Sequence, residues 1–313
     1  RHSLVAFLGA MVLPAIALLV VVAGLVFLLS RRLTSRIMSP INALDVSNPL
    51  DNEIYDEMEP LLRRIDFQQA LLRQQNTELA KAESMRRDFS SNVSHEMKTP
   101  LQVISGYAEL MKGGVVPYED CQKFGGLIYD EAQAMRGLID DVLTLSKLDE
   151  SAFDNEGVPI DLGGVAKSMA ARLRSFAEER EVDVVVKGPG AYISGNESLA
   201  DEMTYNLIEN GIRYNHKGGK VTVEVDETIG TDGKMMARMR VSDTGMGIPS
   251  DMRDKVFERF FRVDKSRSKE TGGTGLGLAI VKHAVMYHGG TIKVDSVEGK
   301  GTTFILLIPA LEG

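Results

Sequence analysis

Cysteine is all but missing from these 313 residues: Cys121 stands alone, so no internal disulfide can form, and no Cys/His cluster has the spacing of a zinc site. Nothing points to an oxidising compartment. An excess of positive charge is missing too. Lys and Arg number 36 against 44 Asp and Glu, and the net charge of −8 disfavours nucleic acid as a main partner. No internal repeat is evident. What remains is 43% hydrophobic and 26% charged, an ordinary globular composition that excludes a disordered tail, a collagen-like fibre and a multi-span transporter. At about 100–200 residues per domain, the length accommodates about two domains.

One long apolar run does exist. Leu4 to Ser30 carries no charge and is followed at once by Arg31, Arg32 and Arg36. At about 1.5 Å per residue such a run exceeds the roughly 30 Å hydrocarbon core. A signal peptide would have a shorter apolar region and a small-residue cleavage site, where here arginines follow. The run is therefore read as a transmembrane helix over 1–30, and the arginines place the C-terminal side in the cytoplasm. The chain begins with Arg rather than Met and is read as a piece of a longer protein.

Residues 31–85 read as a cytoplasmic linker and signalling helix. Met58, Ile65, Leu72 and Leu79 recur every seven residues, a coiled-coil-like seam weakened by Gln68, Gln75 and Asn76. A passive spacer fits the same pattern. Residues 86–150 read as a helical hairpin. Val93, Met97, Leu101, Ile104, Ala108 and Met111 form one helical stripe, and Ile128, Met135, Leu138, Val142 and Leu145 form another. Gly113, Gly114 and Pro117 break the chain between them. Such a hairpin cannot bury both faces alone, so the pattern predicts a homodimer closed as a four-helix bundle.

From 151 to 313 helices and strands alternate, giving an overall class of α + α/β. Helices are expected over Gly163–Arg180, Ser198–Ile212 and Gly275–His288. Strands are expected over Val182–Lys187, Val221–Thr228, Met236–Asp243, Thr291–Ser296 and Thr302–Pro309, the second and third forming a hairpin. Met235, Met236 and Met239 read as core filling.

The chemistry begins at Ser94-His95-Glu96-Met97-Lys98-Thr99-Pro100. At about 100° per residue His95 lies opposite the stripe centred between Val93 and Met97, and so faces solvent. A lone surface histidine is usually no more than that. Here, however, Thr99 lies one turn away on the same face, and Glu96 sits where its carboxylate can orient or deprotonate the ring. Pro100 removes a helical hydrogen bond, so a bend is expected there. Nucleophile, base and hydroxyl partner are within reach of one another.

Asn206 and Asn210 stand four apart on one helix face, hard neutral oxygen donors of a kind suited to Mg²⁺. Alone they would read as polar surface. Their company is glycine-rich: Asp243-Thr244-Gly245-Met246-Gly247-Ile248 ends a strand, and Gly272-Gly273-Thr274-Gly275-Leu276-Gly277-Leu278 opens a helix. Glycines admit close backbone approach to a ligand, and amides at a helix N-terminus attract phosphate. Asp243 can accept from an exocyclic amine such as that of adenine. The second loop is neither a P-loop nor a dinucleotide fingerprint. Phe257 to Arg262, with Lys265, Arg267 and Lys269, suggest a hinged lid over anionic phosphates.

In content and order these motifs resemble the membrane-bound sensor histidine kinases of bacterial two-component systems. The resemblance covers about residues 86–309 and runs through a histidine box, an asparagine box, two glycine boxes and a phenylalanine box. It implies a Bergerat-type α/β sandwich for 151–313, as in gyrase and MutL-type ATPases, behind the dimerising hairpin. His95 would then take the γ-phosphoryl group of ATP, with Glu96 accepting the ring proton. Asn210 and Asn206 would hold Mg²⁺, Arg213 would reach phosphate and Tyr214 would flank the nucleotide. Asp243 would read the adenine amine, while Gly245, Gly247, Gly273, Thr274, Gly275 and Gly277 would shape the pocket and lid. The phosphoryl group would pass to an aspartate of a response regulator receiver domain, and Glu96 with Thr99 matches the family pattern for the reverse, phosphatase reaction.

Departures from the pattern are Arg213 where Lys is common, Gly211 where Ala is common and Asn215 where Ser or Thr is frequent. Leu33 to Asp66, with Pro40 and Asn48-Pro49, resembles the start of a relay linker without completing it. Two other readings stand beside the kinase: a silent membrane scaffold that binds nucleotide, and an ATPase that drives conformational change.

Overall fold

A computed structural model describes residues 2–42, 59–149, 157–231, 233–263 and 273–311. The chain divides into two compact units, Arg1–Arg86 and Arg87–Gly313.

The first unit opens with α1 (His2–Asn42). Within it Pro14–Met38 has a mean hydropathy of 2.3, and α1 is long and apolar enough to cross a membrane by length and composition. The long α2 (Glu59–Lys112) follows. Of the seven-residue seam, Leu72 and Leu79 are exposed, and Met58 lies outside the described residues. So do Asn48 and Pro49 of the linker.

In the second unit α2 reaches the hairpin turn unbroken. Pro100 lies inside α2, which is assigned as helix on both sides of it. α2 closes on a Schellman turn in which Gly114 adopts φ +67° and Val115 donates to the carbonyl of Leu110 at 3.2 Å. A short 3-10 turn (Tyr118–Asp120) leads into α3 (Cys121–Asp149). Leu138, Leu145 and Leu148 of α3 are buried, whereas Leu101, Leu110, Leu127 and Leu143 leave much of the hairpin's apolar surface open.

The remainder is a two-layer α/β sandwich. β1 (Val158–Asp161) pairs antiparallel with β3 (Tyr192–Gly195), a small sheet that the alternation pattern did not announce because each strand is four residues long. The main sheet has the order β2-β4-β5-β7-β6, with β2 (Asp183–Lys187) parallel to β4 (Lys220–Ile229). β5 (Met235–Asp243), β7 (Gly301–Pro309) and β6 (Thr291–Val297) are antiparallel to their neighbours. One sheet face is buried under α4 (Leu162–Arg172), α6 (Glu197–Arg213) and α7 (Gly277–Tyr287). The core includes Leu199, Met203, Leu207, Ile212, Met239 and Leu306. The other face carries cross-strand ion pairs, Arg238 with Asp226 at 2.6 Å and Arg240 with Glu224 at 3.0 Å.

Two sequence expectations are corrected here. The helix foreseen over Gly163–Arg180 is two, α4 and α5 (Arg174–Glu179), because Leu173 leaves helical geometry at φ −88° and ψ 4° while burying its side chain. Met239 is core, but Met235 at the outer end of β5 is exposed.

Candidate active site

His95 sits on α2 with its side chain 80% exposed, and its Nδ1 lies 3.8 Å from Oε1 of Glu96. Thr99, one turn on, donates from Oγ1 to the carbonyl of His95 at 3.3 Å. The stripe opposite is inward-facing at Val93 and Met97, as the helical spacing requires.

The second group of residues gathers where α6, β5 and α7 meet. α6 begins at Asn196, whose Oδ1 caps the helix by accepting from the Leu199 amide at 3.1 Å. Ten residues on, Asn206 is nearly buried and turns its amide nitrogen to Glu202, donating to the carbonyl at 2.9 Å and the carboxylate at 3.2 Å. Its oxygen is thereby directed to Gly277, where a Cβ would lie 2.4 Å from Oδ1. Only glycine fits, and α7 therefore starts directly against the asparagine face. Asn210 lies one turn further along that face, half-buried. Arg213 pairs with Glu209 at 2.6 Å and packs over Phe176.

Asp243 ends β5. Its Oδ1 accepts from the amides of Gly245 at 2.8 Å and Thr302 at 3.2 Å. Burial pushes its carboxyl above the usual carboxylate range, and these two amides oppose that rise. Gly245 packs on the Tyr214 carbonyl, where a Cβ would approach to 2.4 Å. Gly247 adopts φ +68°, and a Cβ there would lie 2.2 Å from the Val297 carbonyl.

The second glycine loop is described from Gly273 onward; Gly272 and the basic run Lys265, Arg267 and Lys269 lie outside the described residues. Gly273 and Gly275 adopt φ +111° and +71°, and Phe260, whose amide donates to Gly275 at 2.9 Å, adopts φ +62°. A non-glycine residue in that region marks stored backbone strain of a kind that gathers at functional loops.

The hairpin contributes residues to this region that the sequence alone did not reveal. Thr274 Oγ1 donates to Asp141 on α3 at 2.6 Å, and Arg259 reaches Asp149 at 2.6 Å. Phe260 packs on Phe89 of α2 with ring centroids 5.8 Å apart, and Arg259 lies over the same ring. Burial raises the Asp141 carboxyl to about 6; Thr274 opposes the rise, and nearby Glu202, Glu209 and Asp140 add to it. No helical period singles out Asp141, one acidic residue of several on α3, because its partner is 133 residues away. The structure thus brings Asn206 against Gly277, near Thr274, and puts Asp243, Gly245 and Tyr214 together at the C-terminal end of α6. His95 and Glu96 are on α2, with no contact to either group among the described residues.

Asn206 and Asn210 are the donors to weigh for Mg²⁺. Among the described residues no group of three His, Cys, Asp or Glu side chains is arranged to hold a metal. The carboxamides suit an ion completed by waters and substrate phosphates.

Known families match both regions. Residues 85–151 match the His Kinase A (phospho-acceptor) domain, and residues 195–312 the histidine kinase-, DNA gyrase B- and HSP90-like ATPase. The sensor-like histidine kinase SenX3 of Mycolicibacterium smegmatis is 35% identical over 234 residues, 74% of this chain and 60% of that protein. Sensor histidine kinase WalK of Bacillus subtilis is 36% identical over 243 residues, 75% of this chain and 38% of that protein. The chain thus spans 60% and 38% of these two relatives' lengths. Among solved structures, full-length ShkA in complex with AMPPNP is similar at 26% identity and TM-score 0.53, over 71% of this chain and 46% of that one. The Acinetobacter baumannii histidine kinase AdeS shares the fold at TM-score 0.57 and 20% identity, over 70% of this chain and 98% of that one. An exposed histidine on a helical hairpin, joined in one chain to a glycine-framed α/β sandwich and matched in both parts, makes this chain a member of the sensor histidine kinase family.

Proposed function

We propose that the protein autophosphorylates His95 from Mg-ATP and passes the phosphoryl group to an aspartate of a response regulator. The observation that carries this reading is the exposed imidazole with Nδ1 turned to the Glu96 carboxylate, in the same chain as a nucleotide-type seam between Asn206 and Gly277. With Nδ1 facing Glu96, Nε2 is the nitrogen that attacks the γ-phosphorus. The Nε2–P bond forms, the bond from phosphorus to the β–γ bridging oxygen breaks, ADP departs, and Glu96 takes the Nδ1 proton.

Asp243 holds the adenine amine through the oxygen its backbone amides leave open. Gly245 and Gly247 give the base room beside Tyr214, and Gly273, Thr274, Gly275 and Gly277 bring amides and a hydroxyl to the phosphates. Arg213, braced by Glu209, offers positive charge at the end of α6. Asn206 and Asn210 hold Mg²⁺, which when bound neutralises charge on the phosphate oxygens. In this reading the contacts at Asp141, Asp149 and Phe89 hold the α/β domain on the hairpin and are released before the domain reaches His95.

The apolar surface left open on the hairpin supports a homodimer closed as a four-helix bundle. α1 is assigned to the membrane, with the arginines after it keeping the catalytic region in the cytoplasm. Thr99 beside His95 supports an accompanying phosphatase activity toward the regulator. Equal decay of a phosphorylated regulator with the wild type and with Thr99→Ala would refute that part.

The test uses the full chain in detergent with Mg²⁺ and γ-labelled ATP, beside His95→Gln. Acid-labile label on the wild type and none on the variant is the expected result. Binding of ATP without label would favour a scaffold, and free phosphate released equally by both would favour an ATPase.

A further inference from the structure

α6 and α7 run in opposite directions and pack against each other in the core, with a polar or close contact at each end. Asn206 faces Gly277 at the start of α7, and the start of α6 at Asn196 faces His288 just past the end of α7. The two contacts are ten residues apart on α6 and eleven on α7, about 15 Å in either helix. A shift at one end is therefore carried to the other as a sliding of whole helices.

The His288 contact is built for a single arrangement. The ring is 8% exposed, its Nδ1 lies 2.7 Å from the carbonyl of Ala284, and its Nε2 lies 3.2 Å from the amide of Asn196. A carbonyl only accepts and an amide only donates, so the neutral ring with its proton on Nδ1 satisfies both partners. Gly195 abuts the Cδ2–Nε2 edge of the imidazole, and a Cβ there would fall 2.0 Å from Cδ2. Asn196 in turn caps α6 through Leu199. The ring thus ties the C-terminal end of α7 to the first amide of the helix that bears both asparagines.

We propose that His288 is a positioning residue for nucleotide binding: by accepting the Asn196 amide it sets the register of α6 against α7, and with it the placement of Asn206 and Asn210 beside the phosphate-side loop. The inference rests on the assignment of those residues to Mg-ATP under Proposed function. His288 touches none of the ligand-binding groups itself.

The test compares the full chain in detergent with His288→Asn and His288→Gln. Asparagine places its amide near Nδ1 and keeps a partner for Ala284, but stops short of Asn196. Glutamine extends an oxygen to where Nε2 accepts. His288→Asn is expected to raise KM for Mg-ATP about tenfold or more while kcat is retained. Amide hydrogen exchange from Asn196 into α6 should quicken, and His288→Gln should restore both readouts. An unchanged KM in His288→Asn, or a glutamine variant as impaired as the asparagine one, overturns the proposal. Should His288→Asn fail to fold, Gly195→Ala, which pushes the ring off Asn196, takes its place in the same comparison. If the wild type neither binds nor uses Mg-ATP, the functional reading fails separately. Hydrogen exchange along α6 then decides: exchange faster only without the Nε2 acceptor supports the register role, and equal exchange in all variants removes it.

Discussion

Replacing Asp141 by asparagine should tighten the hold of the α/β domain on the hairpin. In the docked arrangement burial raises this carboxyl from 3.8 to about 6, despite the 2.6 Å bond from Thr274. In an undocked arrangement the side chain faces water and titrates near its ordinary value. The docked state therefore holds the extra proton between those two values. Docking is strongest below about 3.8, weakens as pH rises to about 6, and is level above that. A raised carboxylate is the reverse of the usual acidic case, and here ionisation opposes the contact. The span between the two values corresponds to about 3 kcal/mol at most, or about a hundredfold in the docking equilibrium.

Asparagine keeps an oxygen for Thr274 and removes the charge that faces Glu202, Glu209 and Asp140. Loss of the charge-assisted bond offsets part of the gain, about 1 kcal/mol. A net tightening of about 2 kcal/mol is expected above pH 6, with a flattened dependence between pH 4 and pH 6. The assay is amide exchange over the C-terminal half of α3 and the start of α7, followed from pH 5 to pH 8 with intrinsic exchange rates divided out. If the proposed autophosphorylation requires release from α3, it should be slower in Asp141→Asn at pH 7.5. Faster exchange in the variant, or a wild type whose protection is the same at pH 5 and pH 7, would refute the reasoning.

Phe89→Ala should act in the opposite sense, loosening the domain by about 1 kcal/mol or more as the Phe260 and Arg259 contacts are lost, visible as faster exchange around Phe260. Gly247→Ala should lower stability by about 2 kcal/mol or more in a thermal melt, since the residue needs φ +68° and its Cβ would collide with the Val297 carbonyl. Arg238→Ala, on the open face of the sheet, should cost no more than about 1 kcal/mol in denaturant unfolding. Asp226 is held below its ordinary value by Arg238, so that small contribution is present at neutral pH and fades in acid as Asp226 protonates.

Periodicity alone was enough for most elements, because the signal for a helix or strand lies within one segment. The alternation of β4, β5 and β7 is read directly as one buried and one open face, and the three-and-four spacing around Val93 put His95 on the outer face where it is found. The glycine loops were equally legible in kind, since clustered glycines announce close approach, though not in what they approach. That Gly277 clears space for Asn206, and that Gly247 lies on Val297, depend on how distant segments pack. The break at Leu173 was invisible because the residues around it are good helix formers and only core packing turns the chain there. Pro100 was legible as an interior proline that the helix runs through, with helix assigned on both sides of it. Local pattern thus determined the elements, the exposed histidine and the candidate ligand-binding loops, all of which rest on residues within a few turns of one another. The Asp141–Thr274 bond, the Phe89–Phe260 pair and the His288–Asn196 tie join residues 133, 171 and 92 positions apart. Such contacts carry no local period, so only the packing of hairpin, sheet and helices could decide them.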